Sequence, residues 1–139
     1  PMSMNASETE VLERAMQVGL EAEERREAKL VEAVVTNAAK KKGGVVRLME
    51  TLRAVHEGRV QTLVIGDGLR APGRKCQGCG YVTVEALDSC PFCQGAFSEI
   101  PDAVEMAVRE VMKSGGEVEV VHGNKTLEPY EMIGALLRY

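Results

Sequence analysis

All four cysteines of the chain stand in the stretch CQGCGYVTVEALDSCPFC, residues 76 to 93, as Cys76-x-x-Cys79 and Cys90-x-x-Cys93. A C-x-x-C turn aims two sulfurs at one point, and two such turns on a hairpin complete a tetrahedron with metal–sulfur distances near ~2.3 Å. The surrounding residues suit the turns. Gly78 and Gly80 permit positive φ, Pro91 presets one dihedral of the second turn, and Gly95 closes it. Four thiolates leave no open coordination position, so the expected role is structural. Around a divalent ion they carry a formal charge of −2, and Arg74 and Lys75 directly before Cys76 offset it.

Other uses of the same residues are weaker. Two disulfides belong to an oxidising compartment, and no secretory segment is visible. A thioredoxin-like redox centre needs one C-x-x-C at the end of a strand in a βαβ unit, not two facing pairs. A rubredoxin-like iron site would use these four ligands too, so spacing leaves zinc and iron open, with zinc expected. No other catalytic constellation presents itself. His56 and His122 are isolated, and His56 suits a cation at a helix C-terminus. The domain is therefore expected not to be an enzyme.

The elements that position the cysteines can be read from the 139 residues, enough for one compact domain. Apolar residues are 45% and charged residues 27%, a globular balance with no apolar run of membrane-spanning length. A cytoplasmic protein is expected. PMSMN at the start reads as a cloning scar or cut point, so the chain is expected to be part of a longer protein. The net charge is −4, yet residues 43–75 carry six bases (Arg47, Arg53, Arg59, Arg70, Arg74, Lys75) against three acids. A local basic surface fits this, a general nucleic-acid coat does not. Aromatic residues are 4%, with no Trp, too few for base-stacking platforms.

Ser7-x-x-Glu10 has a capping-box pattern opening a long helix to Lys42. Leu30, Val31, Val34, Val35 and Ala38 form its apolar stripe, and Gly43-Gly44 ends it. At ~35 residues it would run ~52 Å, so it is expected to break near Gly19 or overhang the body. Val11, Ala15, Val18 and Ala22 make residues 1–20 a connector or partner-binding arm, or a plain solvated helix. Glu50–His56 reads as a short helix and Val60–Gly66 as a strand buried on both faces. A ribbon insert over 70–99 follows, with Tyr81–Val84 as a short strand. Pro101 opens a third helix, bearing Val104, Val108 and Val111. Glu117–His122 alternates like an outer strand, Thr126–Met132 is a helical turn, and Ile133–Tyr139 an apolar strand or helix. Helices alternating with strands predict an α/β sandwich on a mostly parallel sheet.

The strings EERREAKLV, KGGVV, EGRVQTLVI, the four-cysteine insert, EVEVV and IGALLRY, in this order, resemble the third domain of archaeal and eukaryotic peptide chain release factors. Pelota shares that domain, and bacterial relatives of these factors look most similar. The resemblance covers residues 21–139. It implies a three-layer α/β/α sandwich of the kink-turn-binding ribosomal protein kind, with a long N-terminal helix and a small zinc-ribbon insert. It further implies a translation protein that docks a translational GTPase, an ATPase or the ribosome. The chain departs from the family in two ways. It has no Gly-Gly-Gln, so peptidyl-tRNA hydrolysis is not expected of it. Where kink-turn binders carry Asn before Glu, it has Met49 before Glu50, although Arg53 keeps a cation. Arg47, Arg53 and Arg59 remain candidates for phosphate contact, the alternative being an RNA-binding module on ribosomal or structured RNA.

Overall fold

The structure is a computed structural model that describes the backbone of residues 6–139 and side chains from residue 9 onward. The PMSMN stretch and the cap at Ser7 lie outside that description. The elements are helix α1 (Ala6–Ala39), strand β1 (Gly44–Val46), α2 (Leu48–His56), β2 (Val60–Gly66), β3 (Gly73–Cys76), β4 (Val82–Thr83), β5 (Phe97–Ile100), α3 (Ala103–Lys113), β6 (Glu117–Val121), a 3-10 turn (Glu128–Tyr130) and β7 (Ile133–Leu137). Two compact units divide the chain, residues 1–30 and Val31–Tyr139. No helix among the described residues is long and apolar enough to cross a membrane.

As far as it is described, the first unit is helix alone. The break expected near Gly19 does not occur, because α1 is one helix of 34 residues. A single glycine costs a helix only about 1 kcal/mol, and neighbouring turns carry it. Surface pairs one turn apart support the helix, Gln17 Nε2 to Glu21 at 3.3 Å and Arg26 to Glu23 at 2.7 Å.

The second unit is built on a four-stranded sheet of order β1-β7-β2-β6. Only β2 and β6 run parallel; β7 is antiparallel to both β1 and β2. The expected mostly parallel sheet is thus a mixed one, because the chain's last strand slots between two strands laid down much earlier. Ile133, Gly134 and Ala135 of β7 are all buried. The β-branched run Val60–Gly66 lies inside the sheet, and every residue but Gln61 is buried.

The pleat sends alternate residues to opposite layers. Leu63 and Ile65 of β2 and Ile133 and Ala135 of β7 join Leu52 and Val55 of α2, and Val104 and Val111 of α3, in one buried cluster. The other face receives the end of α1, where Val31 and Val34 are fully buried. Helices on both faces make the three-layer α/β/α sandwich. Asp102, just after Pro101, caps α3 by accepting from Val104 N at 3.0 Å. Glu131 Oε1 accepts from Leu48 N at 3.3 Å and so serves the start of α2 from 83 residues away.

The α1 layer comes close where β7 carries no side chain. A Cβ on Gly134 would lie 2.7 Å from Val34 Cγ1 and 2.9 Å from the Val45 carbonyl oxygen. Gly134→Ala is therefore expected to destabilise the domain by about 1–3 kcal/mol through overpacking. A lowered urea midpoint at unchanged m-value checks this, and an unchanged midpoint would mean that α1 gives way without cost.

Candidate metal centre

The insert is a second sheet of order β4-β3-β5, antiparallel throughout. Cys76 ends β3, and Cys76 N donates to Tyr81 O at 2.8 Å, so the chain after the first cysteine returns at once alongside itself. Two turns of like design result. Gly80 N donates to Cys76 O at 3.1 Å, and Gln94 N donates to Cys90 O at 2.8 Å. In each turn the fourth residue after the first cysteine has positive φ, Gly80 at 83° and Gln94 at 65°.

The other two glycines serve space rather than φ. A Cβ on Gly78 would lie 2.9 Å from Cys93 Sγ. On Gly95 it would lie 3.1 Å from Cys76 Sγ and 3.2 Å from Cys93 Sγ. The expectation that Gly95 closes the second turn by its dihedral is thus corrected. Gln94 takes the left-handed conformation, and Gly95 makes room for two sulfurs.

The four sulfurs lie within 4.8 Å of one another, with Cys76–Cys93 at 3.3 Å and Cys79–Cys90 at 3.6 Å. A tetrahedron with metal–sulfur bonds of ~2.3 Å has edges of about 3.8 Å, so the cluster has the size that a metal ion needs. All four are free thiols, and both short pairs join one knuckle to the other. Backbone N–H groups aim at the sulfurs as a thiolate requires: Gly78 N at 3.3 Å and Cys79 N at 3.5 Å from Cys76 Sγ, and Phe92 N at 3.4 Å from Cys90 Sγ. These four residues could hold a metal ion with no position left for water or substrate.

Without a metal the thiols differ. The Cys79 backbone N–H, aided by the Cys93 thiol and the Gly78 N–H, pulls Cys76 down to about 6. Desolvation, with the neighbouring thiols adding to it, pushes Cys79 up to about 12. A group with a raised pKa must release its proton when metal binds, and a group with a lowered pKa has already done so above that value.

What docks this lobe on the body was not legible in the sequence. His56, the last residue of α2, lies with its ring 4.6 Å from Phe92 and 5.2 Å from Tyr81. Tyr81 is fully buried, and Phe92 stands between the two cysteines of the second knuckle. The sequence view of His56 as a helix-end cation missed this bridge, whose partners lie 25 and 36 residues on by number. Val82 and Val84 pack on the main core, and Arg53 reaches Glu85 Oε2 at 3.6 Å. A cleft of about 150 Å³ remains between lobe and body, lined by Leu52, His56, Lys75, Cys79 and Met106 among others.

The three candidate arginines each have a different intramolecular neighbour. Arg53 pairs with Glu85. Arg59 donates to Tyr139 O from Nε at 3.2 Å and Nη2 at 3.0 Å, and lies 3.7 Å from Glu57 Oε1. Arg47, with φ 75°, sets its guanidinium 5.6 Å from the centre of the Tyr130 ring. The start of α2 already holds the Glu131 carboxylate, where a phosphate would otherwise find free N–H groups. His122 lies 3.8 Å from Asp67 at the surface, apart from the cysteines.

Neither a family model nor a curated protein matches the chain by sequence. Solved structures do match. The C-terminal domain of a peptide chain release factor from Methanosarcina mazei is 19% identical, with a TM-score of 0.64 over 100% of this chain and 98% of that one. The fold is that of release-factor and Pelota C-terminal domains. Archaeoglobus fulgidus Pelota is 20% identical at a TM-score of 0.61, covering all of this chain and 38% of Pelota. Saccharomyces cerevisiae Dom34, a translation termination-like factor of RNA quality control that interacts with Hbs1, is 15% identical at 0.53 over 83% of this chain and 27% of Dom34. The chain thus spans well under half the length of Pelota and Dom34, and nearly all of the isolated release-factor domain.

Metal titrations at several pH values test the thiol arrangement. Below about 12 the Cys79 proton must leave on binding, so affinity is expected to fall at least about tenfold per pH unit. It falls more steeply below about 6, where Cys76 also takes up a proton. Cobalt(II) absorption in the thiolate charge-transfer region reads this out; a pH-independent affinity would rule out the four thiols as ligands.

Proposed function

We propose that this chain is a non-catalytic docking domain of a release-factor-like translation protein, and that a structural zinc ion held by Cys76, Cys79, Cys90 and Cys93 stiffens its projecting ribbon. The observation that carries the reading is the end-to-end likeness to a release factor's isolated C-terminal domain. A closed four-sulfur site adds to it, since it offers no reactive position. The partner is a protein surface, on a translational GTPase, an ATPase or the ribosome; Dom34, of the same fold, interacts with Hbs1. The protein-partner reading outranks direct RNA binding because Arg53 and Arg59 are paired with Glu85 and Glu57, and Glu131 covers the start of α2. Fold likeness alone does not carry function, so the domain has to be tested on its own.

Zinc, when bound, supplies a crosslink between two knuckles and no chemistry. The ribbon's own core is Cys76, Tyr81 and Cys90 with Leu87 and Phe97, too little to fold unaided. The sandwich has Leu52, Leu63, Ile133 and others without it. Chelation is therefore expected to free the amides of 73–100 to exchange while β2 and β7 stay protected. Loss of far-UV signal across the whole domain would overturn this.

Co-sedimentation with bacterial ribosomes across a salt series tests the docking role. The domain is expected to pellet, with weak salt dependence and little change on charge reversal at Arg47. A steep loss of pelleting with salt would mark phosphate contact instead. No pelleting, together with no capture of a purified translational GTPase or recycling ATPase, would remove the docking role.

A further inference from the structure

The four-stranded sheet ends in an edge that nothing among the described residues covers with a strand. β6 pairs with β2 alone. Asp67 N donates to Val121 O at 2.9 Å, so Val121 turns its N–H and C=O toward β2. In a parallel ladder these groups alternate from side to side along a strand, so Glu119 and Glu117 do the same. The N–H and C=O of Val118 and Val120 therefore point along the sheet, away from β2. They form a short template of two donors and two acceptors. Val120 is 40% exposed, while Val118 packs on the core between sheet and helices. Glu117 is exposed on the opposite face of the strand.

The charges select the occupant. If a second copy paired antiparallel about Val118, Glu117 would face Glu119 of that copy; about Glu119, two glutamates would meet directly. Only about Val120, towards the end of the strand, do the glutamates avoid each other. Like charges directly opposite each other destabilise a strand pair. An incoming strand with bases opposite the glutamates and apolar residues opposite the valines meets the reverse condition. The other edge, β1, has three residues against the five of β6 and is a poorer template.

The geometry points to β6 as a docking edge for an extended protein segment in which basic and apolar residues alternate. The segment adds a fifth strand through the outward backbone groups of Val118 and Val120, with a base opposite the exposed Glu117. This inference rests on the docking reading above and names the chemistry of the partner.

The probe is a short capped peptide alternating lysine and valine, titrated into the metal-loaded, isotopically labelled domain. The amides of Val118 and Val120 are expected to gain at least about tenfold protection from exchange. Val120→Pro removes one outward donor and no bond to β2, and proline is tolerated at a sheet edge. It is expected to abolish binding with the far-UV spectrum unchanged. A peptide of the same charge, N-methylated along both edges, has no strand donor left and should not bind the parent domain, which keeps the test decisive if Val120→Pro fails to fold. Equal binding of the methylated peptide would overturn the proposal, as would unchanged protection. So would a dimer in sedimentation equilibrium that Glu117→Lys disrupts or strengthens, since a second copy would then own the edge. Pelleting separates the two readings. If parent and Val120→Pro both pellet with ribosomes, the edge assignment fails and docking stands. If the parent does not pellet or capture its GTPase or ATPase, docking fails and the peptide result still decides the edge.

Discussion

The sandwich depends on one arrangement: the last strand of the chain lies between β1 and β2, with layers closing on both of its faces. Such a position tolerates only small or fully apolar residues. Gly134 admits Val34 on one face, and Ala135 sits in the α2–α3 cluster on the other. The approach of β7 also sets up its surroundings. Arg47 N donates to Ile133 O at 3.0 Å, Glu131 caps α2, and Arg138 N donates to Arg59 O at 2.7 Å. Each of these ties the segment around residues 47–59 to the C-terminal strand. The arginines that suggest an RNA contact in the sequence are partly absorbed into this closure.

The ribbon obeys a different constraint. It has little apolar surface of its own, and four sulfurs stand where a larger domain would have a core. Mutual approach within 4.8 Å is unfavourable for four thiolates without a cation; the Cys79 backbone N–H lowers Cys76, and desolvation raises Cys79. A divalent ion held there would relieve that repulsion and make the crosslink. The lobe then reaches the body through His56, Tyr81 and Phe92, so that α2 carries the core on its buried side and the ribbon at its end. Val82 and Val84 on the main core and the Arg53–Glu85 pair join ribbon and sandwich beside these aromatic contacts.

A cleft of about 150 Å³ adjoins the ribbon, and β6 leaves two residues' backbone groups outward.

The sequence by itself determined the features that arise within a few residues of each other. C-x-x-C spacing and its glycines announced two turns whose sulfurs converge, because four residues suffice to direct two sulfurs. Val60–Gly66 showed itself as a buried strand by composition, and Pro101 announced α3, which begins at Ala103 behind the Asp102 cap. The tertiary structure decided what is joined across long stretches of chain. Nothing local in Ile133–Leu137 distinguishes a central antiparallel strand from an edge or a helix, so the sheet's direction escaped the sequence. Gly95 and Gly78 were recognised as turn residues but needed for room, since the sulfurs they avoid belong partly to the other knuckle. His56 was read from its helix and not from the aromatic rings that reach it from the ribbon. Local chemistry fixes dihedrals and ligand spacing; which surfaces then meet is settled by the burial of area that no single segment carries.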